Sequence, residues 1–327
     1  MVIAIEEHWT TPELTRALKA LPEPLRDDSL ALNERGDHLA RLEDLGPMRI
    51  AAMDEQGVDL QILSVAPPGT APLDAALAVA LSRDLNDIAA DAVRRHPGRF
   101  RALATLPTAD PQAAATELER ATALGAVGAM LYGRTGTTPL DDERYDDLLS
   151  TAERLGQPIF VHPQIPAAAL RDASYAGFDD AVGLALSTYA WGWHLEAAVA
   201  VLRLIARGTF DRHPGLQLIL GHWGELLLFW QDRIGSLSHA ARLERPVEVV
   251  VRENLHVTSS GMFSPALLRH ALEVTTIDRL LFSTDYPFQH PERRQIDDFL
   301  AELSPADRAT FTDHNARRLF RIDDGQG

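Results

Sequence analysis

Short apolar runs rich in Val, Ile and Leu punctuate the chain at Val2 to His8, Leu60 to Val65, Phe100 to Leu106, Val127 to Tyr132, Pro158 to His162, Leu216 to Gly221, Leu255 to Thr258 and Arg279 to Thr284. They are continuous rather than alternating, as parallel strands are when both faces are covered. Between most of them lie stretches of helical character, among them Pro72 to His96, Pro111 to Leu124, Asp141 to Leu155, His194 to Arg207 and Pro265 to Glu273. Eight strands alternating with helices predict an α/β fold, a closed (β/α)8 TIM barrel that takes up residues 1–327 as one domain. An open doubly wound sheet is the runner-up, weakened because no Gly-x-Gly-x-x-Gly follows the first strand. Two connections are long, at about 9–58 and 163–214, and the second carries Tyr189-Ala190-Trp191-Gly192-Trp193. Each starts after a strand, at the rim where barrel enzymes keep their sites, so both are candidate lids. Arg95-His96-Pro97-Gly98 and Arg212-His213-Pro214-Gly215 are near copies that enter strands from the opposite end, where Pro-Gly stops a helix and turns the chain. The tail from Asp323 reads as frayed.

Composition narrows the partners. The 327 residues are 46% hydrophobic and 24% charged, enough apolar material for a large core. A net charge of −16 argues against nucleic acid or an anionic membrane, which want clustered Lys and Arg. With 0 cysteines, disulfides, zinc-thiolate sites and thiol nucleophiles are excluded. Two glutamates follow a short apolar start and no run nears the ~20 apolar residues of a membrane span, so the expected location is cytoplasmic.

Chemistry-bearing side chains gather at the ends of the runs. On the first strand, alternation puts Ile5 and Glu7 on one face and Ala4, Glu6 and His8 on the other. If Glu6 and His8 face the axis, an oxygen and a nitrogen donor converge where a borderline or hard divalent metal could sit. Further strand ends read Val161-His162-Pro163, Gly221-His222-Trp223-Gly224-Glu225 and Thr284-Asp285-Tyr286-Pro287. Titratable groups directly after apolar runs, all at one rim, are what a barrel active site requires. Trp9, Trp191, Trp193 and Trp223 suggest an aromatic pocket lining, although Trp packs in cores as readily. The other histidines, His194 included, lack such a motif and read as packing or solvated groups; His290 is the one nearest a strand end.

These motifs resemble the decarboxylase branch of the amidohydrolase superfamily, which includes the γ-resorcylate and 2,3-dihydroxybenzoate decarboxylases and, more distantly, aminocarboxymuconate-semialdehyde decarboxylase. The resemblance runs from Ile5-Glu6-Glu7-His8 through Met53-Asp54-Glu55-Gln56-Gly57 and Leu220-Gly221-His222-Trp223-Gly224-Glu225 to Ser283-Thr284-Asp285-Tyr286-Pro287-Phe288 and Asn315-Ala316-Arg317-Arg318-Leu319-Phe320. It implies Glu6, His8, His162 and Asp285 as metal ligands, with Mn(II) or Zn(II) as the fitting ions and Mg(II) as a third candidate. It implies His222 as the catalytic histidine with Glu225 as its partner, Asp285 as proton donor, and Phe288 as a pocket wall. Arg233 matches an arginine that in relatives reaches a neighbouring subunit's site to bind substrate carboxylate, which implies a homodimer or homotetramer. The implied reaction is non-oxidative decarboxylation of a small aromatic, ortho-hydroxybenzoate-like, or unsaturated carboxylic acid. A hydrolase or hydratase using a metal-activated water on the same site is the alternative. Tyr132-Gly133-Arg134 departs from the Asn-Gly pair frequent in the resorcylate branch, which leaves the substrate open.

Overall fold

A computed structural model describes residues 1–323, so the expected fraying past Asp323 falls outside the described residues. The parallel strands are β1 (Ile3–Trp9), β2 (Leu60–Val65), β3 (Phe100–Ala102, resuming as Ala104–Thr105), β4 (Ala129–Tyr132), β5 (Ile159–His162), β6 (Leu218–Leu220), β7 (Leu255–Thr258) and β8 (Leu280–Leu281). Each lies inside or within one residue of its expected run. The third run is interrupted at Leu103, where Leu103 N donates to Leu63 O at 2.8 Å and Ala104 N to Gly128 O at 2.8 Å. Those bonds carry the ladder across the break, and Ile5 N donates to Phe282 O at 3.1 Å, which closes the barrel between β8 and β1.

Two apolar layers follow from the pleat. Ile3, Ile5, Leu60, Ile62, Phe160, Ile219 and Leu281 point inward and pack on Ala316, Phe320 and Ile322, so the C-terminal helix Asn315–Phe320 plugs one end. Ala4, Leu63, Val65, Val161, Leu218 and Val257 point outward beneath the surrounding helices. Asp74 and Asp110 cap two of those helices by accepting from Leu77 N and Ala113 N, each cap contributing about 1 kcal/mol. Gly57 and Gly156 end two others in the left-handed conformation that glycine adopts without a Cβ penalty.

The long connections are largely helical. Residues 9–58 form Pro12–Lys19, Leu30–Asn33, His38–Leu42 and Pro47–Gln56; residues 163–214 include Ala168–Ser174, Asp180–Ser187 and Gly192–Ala206. His213, in the second Arg-His-Pro-Gly copy, is buried between Asp146 (3.1 Å) and Glu153 (3.4 Å), and His96 meets the Phe100 ring edge to face; both copies sit in structural contacts away from the rim. No helix among the described residues is long and apolar enough to cross a membrane.

Candidate active site

The first strand does not place its donors by simple alternation. Ile3 and Ile5 face the axis, so strict pleating would aim Glu7 inward and Glu6 and His8 outward. Instead the register against β2 jumps between Ile5 and Glu7, and Glu6 sits in the bulge with φ 68°. One inserted residue reverses the parity of everything after it. Glu6 and His8 therefore both face the axis, while Ala4 faces out, contrary to the face expected for it. Glu7 is turned outward, where Thr284 N and Oγ1 (2.9 and 2.6 Å) and Gln61 Nε2 (3.1 Å) donate to its carboxylate. Burial pushes Glu7 up to about 7 despite those bonds. Arg49, wholly buried, donates to Gln61 Oε1 (3.2 Å) and to the main-chain oxygen of His8, which ties the bulge to the helix Pro47–Gln56.

The bulge brings the expected donors together. One ligand atom each from Glu6, His8 and His162 lie within 4.8 Å of one another. Asp285 Oδ1 is 3.4 Å from His8 Nε2, and His162 Nε2 is 3.7 Å from Glu6 Oε1. Ser260 Oγ and Thr258 Oγ1 (3.0 Å) donate to Glu6 Oε2, which aims the other oxygen, Oε1, at the imidazoles. His162 Nδ1 is 2.7 Å from Pro163 O and donates to it, so its Nε2 carries the lone pair. Burial pushes His162 down to about 3, and it pushes His8 well below the usual imidazole range. Burial also raises Glu6 to about 8, with Asp285 adding to it against the pull of His222, and raises Asp285 well above the carboxylate range. Glu6 Oε1 and His8 Nε2 are buried without a hydrogen-bond partner among the described residues. Neutral nitrogens, crowded carboxylates and unpartnered lone pairs aimed at one point are the donor set a divalent cation satisfies.

His222 and Glu225 come from an unusual turn. His222, Trp223, Gly224, Glu225 and Leu226 all have positive φ (48°, 57°, 85°, 51° and 69°). Left-handed backbone costs roughly 1–2 kcal/mol per non-glycine residue, and such strain gathers at functional sites. Trp223 holds the turn down: its ring is buried against Phe311 and its Nε1 donates to Met262 O at 2.8 Å. The turn sets His222 Nδ1 2.7 Å from Glu225 Oε1, which leaves Nε2 to face the pocket. Against the rise that burial alone would cause, the charge of His222 and the bonds from His194 and His222 bring Glu225 down to about 2. Gly221 leaves space for all of this, since a Cβ there would stand 2.9 Å from Glu6 Oε1 and 3.0 Å from Ser260 Oγ.

A cavity of about 560 Å³ opens over these groups, within the range of small-molecule sites. Phe288 forms one wall, its ring 5.5 Å from both His8 and His38. Trp191 and Trp193 line it as expected, whereas Trp9 and Trp223 are core residues and do not. Arg233 is exposed in the turn Gln231–Ile234, outside the lining, beyond the exposed Phe229 and Trp230. His290 stands away from the cavity. Sequence reasoning missed His194, which contacts Glu225, and Arg35 and His38, which line the mouth. For His194 the only signal was a histidine opening a helix just after a rim aromatic run. In Tyr132-Gly133-Arg134, a Cβ at Gly133 would stand 2.6 Å from the Ala200 side chain, so only glycine fits there, and Arg134 pairs with Glu196 at 3.4 Å.

A barrel whose rim holds this donor set defines a metal-dependent hydrolase-type architecture, and the amidohydrolase family model matches residues 9–322. The chain belongs to the amidohydrolase family. It is similar to the γ-resorcylate decarboxylase of Rhodococcus jostii, with 35% identity over 98% of each chain. The 5-carboxyvanillate decarboxylase from Novosphingobium aromaticivorans, solved with manganese and 4-hydroxy-3-methoxy-5-nitrobenzoic acid, has a TM-score of 0.89 at 28% identity, over 98% of this chain and 96% of that one. A dihydroxybenzoic acid decarboxylase from Polaromonas sp., solved with manganese and 2-nitroresorcinol, has a TM-score of 0.83 at 32% identity, over 99% and 98%.

Proposed function

We propose that this protein is a divalent-metal-dependent, non-oxidative decarboxylase of an ortho-hydroxylated aromatic carboxylic acid. The observation that carries the reading is the convergence of Glu6, His8, His162 and Asp285 beneath an aromatic-walled cavity, with His222 and Glu225 beside them. Those four residues would hold the ion, and the manganese of the decarboxylase neighbours favours Mn(II) over Zn(II) or Mg(II). When bound, the ion supplies positive charge that fixes the phenolate and carboxylate oxygens and draws electron density from the ring.

The chain's own groups do the rest. Phe288 and the Trp191–Trp193 wall keep the ring planar against the site and exclude water. Asp285 delivers a proton to the ring carbon that bears the carboxylate. The bond to the carboxylate carbon then breaks, its electron pair restores aromaticity, and carbon dioxide leaves. His222, with Nδ1 fixed by Glu225, hydrogen-bonds the departing carboxylate through Nε2. Arg233 is exposed past an apolar patch and outside its own cavity, which suits a residue that binds carboxylate in a neighbouring chain's site, in a homodimer or homotetramer.

The test is gas release from a panel of hydroxybenzoates, before and after chelation, with lactones in parallel. Carbon dioxide that stops on chelation and returns with Mn(II) is the expected result. Hydrolysis of a lactone without carbon dioxide from any acid would defeat the reading. For Arg233, mixing inactive Asp285→Asn chains with Arg233→Ala chains should restore some activity, since a mixed assembly contains one site with both residues intact. A fully active monomer would rule that arrangement out.

A further inference from the structure

His194, at the start of the helix Gly192–Ala206, has no part in the reaction just described, yet its geometry is tightly specified. Its Nδ1 lies 2.7 Å from Glu225 Oε2, and its Nε2 lies 2.9 Å from the main-chain oxygen of Tyr189. Neither an ionised carboxylate nor a carbonyl can donate a hydrogen bond. Both ring nitrogens must therefore carry a hydrogen, and the ring is an imidazolium. Glu225 uses its second oxygen for His222, so one carboxylate orients two imidazoles whose centroids are 4.6 Å apart. The other bond reaches the aromatic loop: Tyr189, Trp191 and Trp193 line the cavity, and Arg35 stacks on the Tyr189 ring at 5.4 Å. The charged and titratable groups around His194 are thus Glu225 and His222 from the left-handed turn, His162 from β5, Arg35 behind Tyr189, and Glu196 on its own helix, which is turned to Arg134.

We propose that His194 is a positioning residue, a doubly protonated strap that ties the aromatic loop to Glu225 and thereby fixes the orientation of His222. The inference rests on the role given to His222 above. Burial opposes the charge on His194, and the bonds to Glu225 and Tyr189 outweigh it and raise its affinity for a proton, in line with the geometry. A neutral ring could keep only one of the two bonds, and the loop or the carboxylate would be released.

Nitrogen NMR of the imidazoles in enzyme loaded with diamagnetic zinc or magnesium tests the charge directly. Both nitrogens of His194 should be protonated at neutral pH; a bare nitrogen on that ring would overturn the proposal. In His194→Gln, which can hold one partner but not both as a cation does, kcat should fall roughly 10–100-fold, as for other outer-layer partners of active-site groups. Metal content should stay constant and KM should change far less than kcat. The pH profile of kcat should change, because a positive charge is removed from beside the Glu225–His222 pair. A folded His194→Gln enzyme with unchanged kcat and pH profile would sink the idea. If the wild-type protein releases carbon dioxide from no acid tested, the decarboxylase reading falls, while the nitrogen spectrum still judges His194 by itself.

Discussion

The two ends of the barrel differ in how many polar and strained groups they hold. At the rim, Glu6, His8, His162 and Asp285 are buried together, two of their polar atoms lack partners among the described residues, and positive φ is concentrated in Glu6, His222 to Leu226, Ser260 and Asp285. At the other end, apolar side chains from alternating positions interlock beneath Phe320, and the buried imidazole there, His256, accepts from Arg279 at 3.0 Å through Nε2 while its Nδ1 has no hydrogen-bond partner among the described residues. One end is built to be stable. The other stores cost that stability elsewhere must cover, as expected where binding or chemistry needs groups held ready.

The largest expected effect belongs to the rim. His222→Ala should keep its metal by elemental analysis and its melting temperature, and lose roughly 10²–10³-fold in kcat, the range for removing one preorganised hydrogen-bond donor to the reacting group. Loss of the metal in that variant would make His222 a ligand and erase the division of labour. Phe320→Ala should do the reverse: about 3–5 kcal/mol of stability lost in denaturant titration, as for a large aromatic cut from a core, with kcat unchanged in the folded protein. A large kcat loss there would show that the two ends are coupled.

Gly221→Ala sharpens the boundary, because its methyl would press on Glu6 Oε1 and Ser260 Oγ. Overpacking should cost about 1–3 kcal/mol and weaken metal retention in equilibrium dialysis; unaltered retention would mean that the donors tolerate displacement. The smallest effect concerns pH at the end opposite the rim. Burial, with Arg279 and Arg318 nearby, pushes His256 down to about 3, below the usual imidazole value of 6.5. The unfolded chain then takes up a proton that the fold refuses, so this contribution is complete above pH 6.5 and is lost as pH falls toward 3. Between pH 7 and 5 the loss should be about 2 kcal/mol, at about 1.4 kcal/mol per pH unit. It is read as the difference between wild type and His256→Gln in urea unfolding at both pH values. Equal pH dependence in the two proteins would reassign it.

Strand order, the closed barrel and the rim position of His162, His222 and Asp285 were legible in the chain itself, because continuous apolar runs mark buried strands and these residues follow them directly. Periodicity carried that information since it depends only on neighbours along the chain. The orientation of Glu6 was different. Alternation paired it with Ala4, and only the bulge against β2 turned it to the axis, a register event that depends on a partner strand more than fifty residues away. The same limit hid His194, Arg35 and His38, whose relevance comes from loops folded across the rim from distant segments. It also hid which tryptophans line the cavity, because Trp9 and Trp223 are as apolar as Trp191 and Trp193 and differ only in what the fold packs against them. Local pattern thus determined which elements form and which residues end them. Tertiary packing decided which way each side chain points, because a single inserted residue or a crossing loop reverses a face without changing composition or hydrophobic period.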